Sequence, residues 1–123
     1  MSPDRSSRDQ MALTIGSIER RIGEGIRFTH ASDGRRGIRS ALGNRPQIVV
    51  ADEIASHAGA FALAKELRGD PEPFVGVIVI LLERKQDSWL ARWSGADAWF
   101  VKPVDPFELA DRVLELVTAK ETA

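Results

Sequence analysis

Residues 95–113 read GADAWFVKPVDPFELADRV. Inside this stretch Ala98 to Val101 (AWFV) is a short unbroken apolar run, the pattern of a strand buried on both faces. The run stops at Lys102-Pro103, and a helix opens two residues later. Asp105 reads as its N-cap, Pro106 as its first helical residue and Glu108 as the third. Ala110, Val113, Leu114 and Val117 recur at helical spacing and are expected to face the core. A lysine directly after a buried strand and before a proline calls for a partner of opposite charge. An acidic site is therefore expected elsewhere in the chain.

Working back from this junction, strand and helix signals alternate. Val75 to Leu82 (VGVIVILL) reads as a second buried strand, with Glu83 beyond its end. Pro46 precedes another, Ile48 to Ala51, followed by Asp52 and Glu53. Ile26 to Ala31 alternates and reads as a short strand. Helices are expected from about Ser6 to Ile22, carrying Met11, Ile15, Ile18 and Ile22, and from Arg35 to Leu42, capped by Ser32 or Asp33 and stopped by Gly43-Asn44. Another, Ala58 to Arg68, has Ala60, Leu63, Ala64 and Leu67 on one face and ends at Gly69-Asp70-Pro71. A short helix from Ser88 to Trp93, closed by Gly95, is expected to turn Trp89, Leu90 and Trp93 inward. Strands alternating with helices predict an α/β fold, a parallel sheet of four strands covered on both faces. In open parallel sheets the functional site lies beyond the C-terminal strand ends. Asp52, Leu82-Glu83 and Lys102 should converge there, with Lys102 neutralising Asp52 or a charged group attached to it.

Composition narrows the function classes. A chain of 123 residues fits one domain spanning 1–123. With no cysteine, disulfides, thiolate zinc sites and cysteine nucleophiles are excluded. His30 and His57 are the sole histidines, too few for a multi-histidine metal site. No apolar run reaches the ~20 residues of a membrane span, and MSPDRSSRDQ has no apolar signal core. A cytoplasmic protein that does not engage a membrane is expected. Residues 1–45 carry nine arginines against five acids. The arginines are scattered and lack interleaved aromatics, so they read as solvated helix faces rather than a nucleic-acid surface. A second-messenger or nucleic-acid binder using these arginines is kept as an alternative. No Gly-x-Gly-x-x-Gly loop, Walker loop or serine–histidine–acid arrangement appears, and no enzyme activity is expected.

The motifs together resemble the receiver domain of two-component response regulators, from about Pro3 to Val117. PQIVVAD (46–52) is similar to the family's third strand, and GADAWFVKP (95–103) to its Gly-Ala-Asp-x-aromatic-x-x-Lys-Pro signature. RFTHASDG (27–34) and LRGDPEPFVGVIVILL (67–82) resemble the second strand with its turn and the approach to the fourth strand. The resemblance implies a receiver-like, flavodoxin-like three-layer sandwich. It puts the phospho-acceptor at Asp52, the phosphate and charge partner at Lys102, and the switch positions at Leu82 and Trp99. It implies an interaction face on Trp89, Trp93, Trp99, Phe107, Asp111 and Arg112. It also implies Mg²⁺ beside Asp52 and a sensor histidine kinase or other signalling protein as partner.

Departures accompany the resemblance. The family's first strand ends in two acids that hold Mg²⁺, whereas here Met1-Ser-Pro-Asp begins where the loop after that pair would lie, with Asp4 the sole early acid. The family's Thr or Ser at the end of strand four is Leu82. The loop after Asp52 reads EIASHAGA, without the usual proline and glycine pattern. Metal-dependent phosphorylation of Asp52 is therefore not expected, and Asp52 is at best one metal ligand. The reading is a stand-alone, atypical pseudo-receiver that signals by protein–protein contact. The alternative is a conventional Mg²⁺-dependent receiver with a truncated start. The sheet is expected to close ranks over four strands, or to take a strand from a partner or from a homodimer.

Overall fold

The computed structural model describes Ser2, residues 5–16, 34–44, 47–53 and 59–122. The elements in chain order are α1 (Arg5–Gly16), α2 (Gly34–Asn44), β1 (Ile48–Asp52), α3 (Ala60–Gly69), β2 (Val77–Leu82), a 3-10 turn (Lys85–Asp87), α4 (Ser88–Ser94), β3 (Ala98–Val101) and α5 (Pro106–Thr122). The three strands among the described residues are parallel, in the order β1-β2-β3. Ile48 pairs with Val77 and Asp52 with Leu81, while Val79 pairs with Ala98 and Leu82 with Val101.

The central strand VIVILL is buried at every position, as a strand covered on both faces must be. Its alternation sorts the core into two layers. Ile78, Ile80 and Leu82 pack with Leu63, Ala64 and Leu67 of α3, Ala41 of α2 and Ala91 of α4. Val77, Val79 and Leu81 pack with Leu109, Ala110 and Val113 of α5. Helix α1 lies against α5. The architecture is the expected α/β one, with helices on both faces of a parallel sheet.

Local signals explain the boundaries. Asp105 Oδ1 accepts the N–H of Phe107 at 2.8 Å and starts α5 as an N-cap. Gly95 ends α4 at φ 92°, in the left-handed region glycine favours. Gly76 admits no side chain, because a Cβ there would come within 2.6 Å of the Phe74 ring and 2.7 Å of the Gln47 carbonyl.

Several expectations need correction. The second strand starts at Val77, not Val75, whose side chain is exposed. Helix α2 runs through Asn44 instead of stopping before it. Trp89 and Trp93 point outward, 64% and 56% exposed. Helix α4 has only seven residues, and it buries Ala91 and Ser94 instead. The small side chains allow the close approach to the sheet and α3, which leaves the indoles at 89 and 93 exposed at the surface. The expected strand at residues 26–31, the cap at 32–33, the end of the first helix at 17–22, Asp4, His30 and His57 lie outside the described residues.

Candidate functional site

Three hydrogen bonds from backbone N–H groups align the strand ends, two to carbonyls and one to a side chain. Glu53 N–H donates to the Leu81 carbonyl, and Lys102 N–H donates to the Leu82 carbonyl, both at 2.9 Å. The N–H of Glu83 donates to a carboxylate oxygen of Glu53. Residues 52–53, 83 and 102 therefore stand side by side along one edge of the sheet, as the topology demands.

Asp52 closes β1 and is fully buried. Its Oδ1 accepts from Lys102 Nζ at 2.6 Å, and its Oδ2 accepts from Ser2 Oγ at 3.1 Å. Ser2 is itself fully buried, and Arg8 Nη1 holds its carbonyl at 2.8 Å. Lys102 also donates to Glu83 Oε1 at 2.8 Å, so one ammonium is shared by two carboxylates. The Lys102-Pro103 peptide is cis. Burial pushes the Lys102 ammonium down, but the hydrogen bonds and charges of Asp52 and Glu83 more than offset this and hold it above the ordinary lysine range.

A second pair sits just beyond. Burial pushes the Glu53 carboxyl up, and its hydrogen bond to Asp87 pushes the same way. That hydrogen bond pulls the Asp87 carboxyl down, and Arg84 at 3.3 Å adds to the effect. Asp87 closes the 3-10 turn and immediately precedes α4, so this pair ties the end of β1 to the start of that helix.

Leu82 is fully buried in the layer beneath α3 and α4. Trp99 pairs in register with Ile80, is half-buried against the same layer, and has the Arg92 guanidinium 5.8 Å from its ring centroid. Trp89 and Trp93 are exposed on α4, and Lys65 Nζ lies 4.5 Å from the Trp93 ring, so that indole extends toward α3. Phe107 is 80% exposed at the start of α5, one turn before the exposed Asp111 and before Arg112, which pairs with Glu115. The structure thus brings Asp52, Lys102 and Glu83 together. Trp89, Trp93 and Phe107 stand apart from them on the surface of α4 and the first turn of α5, with Trp99 half-buried on β3.

Among the described residues no cluster of three or more His, Asp or Glu side chains can hold a metal ion. Asp52 has both oxygens committed to Lys102 and Ser2. The described residues do not fit Mg²⁺. Ser2 and the Glu53–Asp87 pair went unseen in the sequence. A serine near the start carries no periodic signal, and two single acids 34 positions apart carry no spacing rule.

No protein-family model matches the chain. A response regulatory protein of Mycobacterium tuberculosis is 32% identical over 94 residues, covering 76% of this chain and 70% of that protein. The alkaline phosphatase synthesis transcriptional regulatory protein PhoP of Bacillus subtilis is 27% identical over 93 residues, covering 76% of this chain and 39% of that protein. Among solved structures, the signal receiver domain of a signal transduction histidine kinase from Syntrophus aciditrophicus superposes with a TM-score of 0.81 at 21% identity, over 97% of this chain and 87% of that one. The chemotaxis protein CheY4 of Vibrio cholerae superposes with a TM-score of 0.74 at 20% identity, over 94% and 92%. These structures share the fold, and the mycobacterial relative adds sequence identity over most of both chains. The chain belongs to the response regulator family, as a receiver domain of two-component signal transduction.

Proposed function

We propose that this chain is an atypical receiver that signals through protein–protein contact, with Asp52 kept as the acceptor position but not phosphorylated by the family's usual route. Leu82 carries the reading. It fills the strand end where the family has a hydroxyl that bonds a phosphoryl oxygen, and it is fully buried in an apolar layer. Leucine has no hydroxyl or other polar group to donate a hydrogen bond there. Phosphoryl transfer depends on positioning and on neutralising spread negative charge. Here the cation that would do so, Lys102, is already divided between Asp52 and Glu83.

The contact face on this reading is the surface of α4 and the start of α5, where Trp89, Trp93, Phe107 and Asp111 are exposed beside Arg112. Half-buried Trp99 links it to the sheet. Aromatic and arginine side chains of this kind anchor protein interfaces. The partner is a sensor histidine kinase or another signalling protein.

The test is a titration with Mg²⁺ and beryllofluoride, a phosphoryl mimic, read by the fluorescence of Trp99 and its neighbours. No saturable change at millimolar Mg²⁺ is expected. A saturable, Mg²⁺-dependent change that disappears in Asp52→Asn would overturn the proposal and make the chain a conventional phospho-accepting receiver.

A further inference from the structure

We propose that Glu53 and Glu83 form an internal oxyanion: two carboxylates of the chain occupy the donors that an anionic group on Asp52 would need. This rests on the reading of Asp52 as a silent acceptor position and adds what keeps it silent.

A tetrahedral oxyanion carried by Asp52 is held by charge-assisted N–H donors at hydrogen-bond distance. Two such donors stand at the adjacent strand ends. One is Lys102 Nζ, which reaches Asp52 at 2.6 Å and Glu83 at 2.8 Å. The other is the N–H of Glu83, which donates to the Glu53 carboxylate. Both are committed to carboxylates of the chain itself. The strand register fixes the arrangement, because the bonds from Lys102 to Leu82 and from Glu53 to Leu81 set the three ends level.

The Glu83 side chain is 42% exposed, so packing does not force it onto the lysine. It could extend into water, yet it lies against Lys102, where opposite charge draws it. Once pH is high enough for Glu53 to have given up its proton, an incoming oxyanion must displace both carboxylates or sit beside their negative charge, and like charges at such distances oppose one another strongly. Glu83 and Glu53 thus act as positioning residues that set the affinity of the Asp52 site for oxyanions. The competing view, that Glu83–Lys102 is an ordinary surface ion pair of little consequence, makes a different forecast.

The experiment compares beryllofluoride binding, with and without Mg²⁺, in the wild-type chain and in Glu53→Gln/Glu83→Gln, by tryptophan fluorescence. Glutamine keeps the shape and removes the charge, and thermal melts establish that the variant is folded. The same pair is made in a Leu82→Thr background, which supplies the missing hydroxyl. The expected result is binding at least about tenfold tighter in the glutamine pair than in its parent, in one background or both, and lost when Asp52→Asn is added. Should the folded glutamine pair bind no more tightly than its parent in either background, Glu53 and Glu83 are not competing anions and the inference falls. Strong binding by the wild-type chain would instead sink the silent-acceptor reading, whatever the variants do.

Discussion

The two edges of the sheet carry opposite charge arrangements. At the C-terminal edge one cation, Lys102, is shared by two carboxylates, Asp52 and Glu83. At the N-terminal edge one carboxylate, Asp97, is shared by two cations, Arg68 at 2.7 Å and Lys120 at 3.5 Å. The difference lies in what else those groups hold. Arg68 also donates to the carbonyls of Gly95, Phe74 and Gly76, and Lys120 to those of Val75 and Gly76. Asp97 accepts the N–H of Ile78 at 2.8 Å. This edge therefore stitches together the backbone that leads into β2 and β3. At the opposite edge Lys102 Nζ bonds side chains, an arrangement that a ligand or a substitution can rearrange. One edge is a clasp and the other is the candidate site.

The largest expected effect breaks the clasp. Arg68→Ala removes four hydrogen bonds and the main counter-charge of a three-quarters-buried Asp97. Hydrogen bonds to charged groups contribute about 1.5–3 kcal/mol each but are not additive, so a loss of about 3–4 kcal/mol is expected. Urea denaturation checks this. A loss below about 1 kcal/mol would mean that solvent replaces these bonds and the clasp is decorative.

The next effect is smaller and asymmetric. Lys102→Met leaves the fully buried Asp52 carboxylate without its cation, although Ser2 still donates to it. Breaking a buried pair from one side costs about 3–5 kcal/mol, and partial exposure of the lysine reduces this to about 2–3 kcal/mol. Asp52→Asn removes the buried charge instead and leaves Lys102 its bond to Glu83. It is expected to cost about 1 kcal/mol or less. Equal losses in the two variants would show that Asp52 has no charge to compensate, which contradicts the geometry.

The site edge was more legible in the sequence than the clasp edge. Continuous apolar runs located β1, β2 and β3, and the parallel topology then forced Asp52, Glu83 and Lys102 together. Asp97 was visible as part of GADAWFVKP, but its partner Arg68 is a lone arginine in the last turn of α3. Nothing in the spacing couples them, since the contact depends on how the end of α3 packs against the loop before β3. The exposed tryptophans were misread because aromatic residues at helical spacing usually mark a core face. In a two-turn helix the small residues Ala91 and Ser94 were the better guide. Ser2 against Asp52 has no sequence signal at all, since a contact 50 positions apart arises from the fold alone.

The smallest effect sharpens the contrast, because it concerns a contact at the site edge that pH itself rearranges. The Glu53 carboxyl holds its proton more tightly in the fold than its ordinary value of 4.5 implies, through burial and its bond to Asp87. Its contribution to stability is thus full below pH 4.5 and fades as pH rises through the elevated folded value. Asp87 has the opposite sign. Its pKa is lowered, so its contribution is present above 3.8 and fades as pH falls through the depressed value. The shared hydrogen bond is strongest between those limits, where Glu53 carries the proton and Asp87 does not. Glutamine at position 53 reproduces that state at every pH. Its carbonyl can accept from the Glu83 N–H while its amide donates to Asp87. Glu53→Gln should therefore gain stability relative to wild type as pH rises from about 4.5 toward 8, read as a widening difference in urea midpoint. A difference independent of pH across that range would mean that no proton is shared between Glu53 and Asp87. The tie between β1 and the turn into α4 would then rest on the backbone alone.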